Sequence, residues 1–454
     1  MGIRKIIILL GVTIMSVQTV AAATQEVALT VYNNNLGLVK DKREMALENG
    51  VSTIQFKDVA MRIDPTSVHF KSLTAPDKVM ILEQNYEYDL INTSKLLQKY
   101  LDQEINVITK EQNYLGQLLS TAKTEIMLRE KNGTIRVINQ EAILNLEFPA
   151  LPTGLITRPT LVWLIDTKKA GTHQTEISYL TEGINWHAEY VAVSKTNDTE
   201  LDLSSWVSID NQSGATYQNA RLKLVAGDVH RVEKKRYPRP VREMAVMAAA
   251  GPDQQFEEKE FFEYHLYTLQ RPTTVNDNQI KQISLFPTTT ASVKKIYIFD
   301  GQYYENKIRV HLEFKNSKDK GLGMPLPAGK IRVYKEDEAD KSLEFIGEDE
   351  IKHTPKDENV RVFLGNAFDI VGERAQKSRN QLGKRSRDEE YEIKIRNHKS
   401  VPVQVVVVEH AWGDWQIRNA SHAHQKKDAN TFEFTIDVPK DGETVITYTI
   451  LLRW

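Results

Sequence analysis

The 454-residue sequence contains no cysteine. That absence excludes disulfide bonds, thiol nucleophiles, zinc–thiolate centres and lipid attachment through an N-terminal cysteine. An excess of charge of either sign is missing too, since 59 basic side chains stand against 61 acidic ones, a formal net charge of -2. Such balance, with no basic stripe, argues against a nucleic-acid partner and against a purely solvating acidic chain. Past the N-terminus no apolar run reaches the roughly 20 residues of a membrane-spanning helix. The longest, such as residues 405–408, are the size of strands. No contiguous nucleophile–base set, phosphate loop or metal motif is present, and no cofactor is implied.

What is present begins with a secretory signal at residues 1–23. Arg4 and Lys5 form its charged start, residues 6–17 its apolar run, and Ala21, Ala22 and Ala23 a small-residue cleavage site. A chain exported without disulfides fits the periplasm or outer surface of a bacterium.

The clearest pattern lies between Ile177 and Val232. Leu201, Leu203, Val207 and Ile209 fall on one side of a two-residue period, as do Ala220, Leu222, Leu224 and Ala226. Asn211 to Gly214 supplies residues that tolerate positive φ for a chain reversal. One-sided strands joined by short turns predict antiparallel sheet with one face on a core. Trp186, Trp206 and Tyr217 are expected to fill that core.

Taken in order, residues 24–89 read as an N-terminal β-domain with strands at 27–32, 52–56, 67–70 and 79–82. Residues 90–150 read as a helix capped by Thr93 or Ser94, then five short strands, the pattern of a small SH3-like or Sm-like barrel. A proline-marked connector leads to a central β-sandwich at 160–300. It contains 233–260, where a basic cluster (Lys234, Lys235, Arg236, Arg239, Arg242) precedes a small apolar stretch and an acidic one. Without strand periodicity, 233–260 is expected to be a mobile loop, or an arm that contacts a partner or membrane. Residues 301–454 read as a C-terminal β-sandwich that includes a charged connector at 373–390 and closes with a hairpin through Asp441 and Gly442. The fold expected is mainly β and multidomain, built of antiparallel β-sandwiches plus the small barrel.

Five stretches carry a resemblance: TSVHF beside Pro65, GINWHAEYVAV at 183–193, WVSIDNQSGATYQNARLKLVAGDV at 206–229, MPLPAGKIRVYK at 324–335 and YEIKIRNHKSVPVQVVVVEHAWGDW at 391–415. In these the chain resembles bacterial secreted proteins grouped with the mucoidy-inhibitor family through a shared C-terminal domain of unknown function. Proteins of that type usually carry a long coiled-coil insert near the N-terminus. Here a short helix and the barrel-like unit take its place. The resemblance implies an envelope location and β architecture, and brings no catalytic residues.

Three constellations are candidates for chemistry. Asp228 and His230 end the strongest-patterned region and, with His187, would offer acid–base groups for an envelope hydrolase; the competing reading gives Asp228 a turn-capping role. His410, His422 and His424, with Asp414 or Glu409, would offer nitrogen and oxygen ligands to a metal, against a solvated polar loop. Trp186, Trp412 and Trp415 would stack on sugar rings if exposed, against core packing. The leading expectation is a non-enzymatic envelope scaffold or binding protein whose partners are envelope proteins or glycans.

Overall fold

The computed structural model describes residues 25–122, 124–152, 155–227, 229–230 and 255–454. The expected signal at 1–23 and most of the expected loop, residues 233–254, lie outside them. The protein is mainly β, with several antiparallel sheets. Among the described residues no helix is long and apolar enough to cross a membrane.

Two compact units divide the chain. Of the described residues, the first takes those up to Val27, Lys40–Lys57 and Val68–Ser178; the second takes Ala28–Val39, Asp58–Ser67 and Tyr179–Trp454.

In the first unit Thr160–Thr167 is the middle strand between Gly50–Lys57 and Val79–Glu87, antiparallel to both. Its Trp163 is fully buried against Phe56 and Phe70 and donates Nε1–H to Gln84. Asn92, one residue before the expected caps, caps the helix Thr93–Lys99 through the Lys95 N–H. The helix precedes five strands, Glu104–Thr109, Asn113–Thr121, Glu125–Arg129, Ile135–Asn139 and Ile143–Glu147, the last paired beside the first. The barrel expected here is realised as this five-stranded antiparallel sheet. Its core is Leu97, Tyr100, Ile105, Val107, Leu118, Ile126, Leu128 and Ile138.

The second unit is organised by one 21-residue strand, Gln279–Phe299. Its first half pairs antiparallel with Glu200–Asn211, which pairs with Ile184–Ser194. Its second half pairs antiparallel with Lys307–Lys315 on one side and parallel with Val403–His410 on the other. Beyond Lys307–Lys315 the sheet continues through Asn359–Gly383, Ser386–Asn397, Gly442–Arg453 and Asp414–Ala420. Val403–His410 continues to Thr431–Val438. Between these layers pack Phe299, Ile308, Ile393, Val405, Val407, Phe432 and Phe434, all fully buried.

Several expectations are corrected. Trp206 is 43% exposed, because the alternation that turns Val207 inward turns Trp206 outward. Residues 256–260, expected as loop, belong to the strand Phe256–Phe261, which pairs antiparallel with Tyr264–Leu269 and is anchored by buried Phe256. The charged connector at 373–390 is instead a long hairpin formed by Asn359–Gly383 and Ser386–Asn397. Cross-strand charge pairs hold it, including Arg396 to Glu373 at 2.6 Å and Lys377 to Glu392 at 3.2 Å.

Three buried asparagines repeat one device. Asn211, Asn316 and Asn397 are each fully buried, and each follows or ends a strand. Each side-chain amide donates to loop carbonyls: Asn211 to Ala215 and Asn276 at 2.9 and 3.0 Å, Asn316 to Met324 and Pro355 at 2.7 and 2.9 Å, Asn397 to Val401 and Pro439 at 2.9 and 3.0 Å. Each carbamoyl oxygen accepts a backbone N–H, from Ser213, Gly323 and Lys399 respectively. Loops that would bury unpaired carbonyls are thereby satisfied.

Candidate functional site

Among the described residues, those singled out in the sequence do not converge. Asp228 lies outside the described residues. His187 projects from the outer face of Ile184–Ser194, with Nε2 3.0 Å from Glu189, whose carboxylate also binds Arg332. His230 is exposed and outside any strand. Trp186 is 1% exposed, donates Nε1–H to the Val225 carbonyl at 3.0 Å and packs edge-on to Tyr267; it is a core residue, not a sugar platform. Trp412 is exposed. Trp415 is half-buried on Phe432, its Nε1–H on the Ala429 carbonyl and Lys426 over its face at 4.4 Å.

His410, His422 and His424 have separate partners. His410 Nε2 meets Asp300 at 3.0 Å, His422 Nδ1 meets the Ser421 hydroxyl at 2.8 Å, and the His424 ring packs against Phe432 and Phe434. His422 lies in a bend, so the two do not share the strand face that an extended H-x-H requires. Among the described residues no group of three His, Asp or Glu side chains is placed to hold a metal ion.

Glu409, entertained only as a metal ligand, is instead the centre of a buried network. It is fully buried, and Arg374 contacts both its carboxylate oxygens from Nε, at 3.0 and 3.1 Å, and Oε2 again from an Nη at 3.0 Å. The Tyr448 hydroxyl and the Gln302 amide also donate to it. Burial works against the Arg374 charge, but the hydrogen bonds and charge of Glu409 outweigh it and raise its pKa. Burial, then Glu409, pushes the Tyr448 hydroxyl far above its ordinary range. These groups saturate one another and hold the sandwich end together.

The open chemistry lies on the opposite side of the same strands. Where Gln279–Phe299 meets Val403–His410, Tyr297, Phe299, Val405 and Val407 point into the core, so Ile296, Ile298, Val406 and Val408 point out. They floor a groove of about 450 Å³. Five cations line it, Lys294, Lys295, Arg361, Lys399 and Lys427, against the single carboxylate Glu433. Three cations have anionic partners: Lys295 binds Asp198, Arg361 binds Glu313, and Lys427 lies 3.5 Å from Glu433. Lys294 faces Glu313 across the ladder, but that carboxylate is engaged by Arg361. Among the described residues Lys294 and Lys399 make no ion pair, and Lys399 sits 5.7 Å over the Tyr297 ring. Sequence reading misses this site because its cations come from four separated segments, and only the register of the parallel pair brings them together.

No curated protein matches the chain. A family model described as "Domain of unknown function (DUF4139)" matches residues 175–454, which include the strand Gln279–Phe299, the groove and the Glu409 network. The chain therefore belongs to the DUF4139 family.

Proposed function

We propose that the protein is a non-enzymatic binding protein of the bacterial cell envelope, and that its groove takes an anionic envelope glycan. The observation that carries this reading is that five cations and one carboxylate line a groove with an aliphatic floor. Ammonium groups suit the point charges of carboxylate or phosphate substituents, and the C–H faces of sugar rings suit Ile296, Ile298, Val406 and Val408. The secretory pattern at 1–23 supports periplasmic or outer-surface residence. The five resembling stretches support the finer kinship with mucoidy-inhibitor proteins. Among the described residues, neither His187 and His230 for a hydrolase nor His410, His422 and His424 for a metal site offers a comparable geometry.

The test is binding of polygalacturonate, with neutral dextran as control, measured by calorimetry at low and high salt. Polygalacturonate is expected to bind, weaken as salt rises, and lose tenfold or more in affinity in the Lys294→Glu/Lys399→Glu variant. Equal binding of dextran, or no change in the double variant, overturns the reading.

A further inference from the structure

The hairpin of Phe256–Phe261 and Tyr264–Leu269 ends in a tip that folding alone does not explain. Register sets Phe261 opposite Tyr264, leaving Phe262 and Glu263 as a two-residue loop. Phe262 has φ +60°, in the left-handed region where such tips favour asparagine or glycine. It is 83% exposed, and Phe261 beside it is 58% exposed. Two phenyl rings thus stand in solvent where neither burial nor backbone preference favours them. Beside them Glu260 and Glu263 are exposed, Glu258 is held by His265 at 2.7 Å, and Lys259 is the one cation between Phe256 and Tyr264.

The groove has the converse character, an aliphatic floor inside a cationic rim. We propose that the hairpin tip of one copy of the chain docks in the groove of a second copy. The phenyl rings lie on Ile296, Ile298, Val406 and Val408, and the glutamates face Lys294 and Lys399, which have no ion pair of their own among the described residues. This rests on reading the groove as an anion receptor, and gives it a protein occupant that competes with the glycan. Charge complementarity selects this partner: an acidic segment with an apolar point fits a basic rim with an apolar floor. Since hairpin and groove are different surfaces, the contact is heterologous, and copies join head to tail into a ring or an open row.

Sedimentation velocity on the full chain at rising concentration and low salt tests the proposal. The wild type is expected to self-associate, and Phe261→Ser/Phe262→Asn and Lys294→Glu/Lys399→Glu are each expected to stay monomeric with unchanged circular dichroism. Mixed in equal amounts, the two variants bring together one intact hairpin and one intact groove. The mixture is expected to form a dimer that grows no further. A monomeric wild type, variants that associate like it, or a mixture that stays monomeric overturns the proposal. Polygalacturonate separates the two readings. The hairpin variant should still bind it, so lost glycan binding with intact self-association rejects the glycan reading, and the reverse rejects the docking.

Discussion

His311 lies on Lys307–Lys315, which pairs with the long strand Gln279–Phe299, and is 7% exposed. Burial, then the charges of Arg309 and Arg361, pushes its pKa down to about 4. Between the ordinary value of 6.5 and that depressed one, the unfolded chain binds a proton that the folded chain refuses. Stability therefore holds above pH 6.5 and falls as pH drops toward 4, by up to roughly 3 kcal/mol from this group. Replacing it by phenylalanine, to pack on Phe363, is expected to flatten that part of the profile. Urea midpoints of both proteins between pH 7 and 4 check this, and parallel slopes would refute it.

At the scale of elements, the three buried asparagines act as plugs. Asn397→Ala leaves the Val401 and Pro439 carbonyls without their donor, at an expected cost of about 2–4 kcal/mol. Asn397→Asp is expected to be worse, although nearly isosteric, because a carboxylate cannot donate to carbonyls and is repelled by them. The same order is expected at Asn211 and Asn316. Chemical denaturation of the six variants measures it, and an aspartate better tolerated than alanine would show that shape rather than donation matters.

Much of this level is legible in the sequence. Leu201, Leu203, Val207 and Ile209 are buried as their period requires, and so are Ala220, Leu222, Leu224 and Ala226. Glu409 is legible too, since it shares the inward parity of Val403, Val405 and Val407, which requires it to be buried and paired. The hairpin through 373–390 is hidden because alternating charge satisfies both faces without an apolar stripe. Its strands are set by cross-strand pairing, which depends on a partner distant in sequence. The groove is invisible for the same reason, as Ile298 meets Val406 only through a parallel register.

For the second unit as a whole, Gln279–Phe299 makes two sheets share one strand. Opening either sheet strips that strand of half its ladder, so the region is expected to melt in a single transition. Trp186 reports from the Ile184–Ser194 end and Trp415 from the other. In proteins retaining one of the two as the sole tryptophan, fluorescence melts should coincide; midpoints several degrees apart would show separate cooperative units.

The second unit also has a timetable. The parallel partner of Ala28–Tyr32 is Arg221–Val225, about 190 residues later in the sequence. Synthesis runs from the N- to the C-terminal side, so one edge of this strand must wait unpaired until about 190 further residues have been made. During that interval its free edge is open to capture by a chaperone or by another chain's strand, and its pairing closes a loop of about 190 residues.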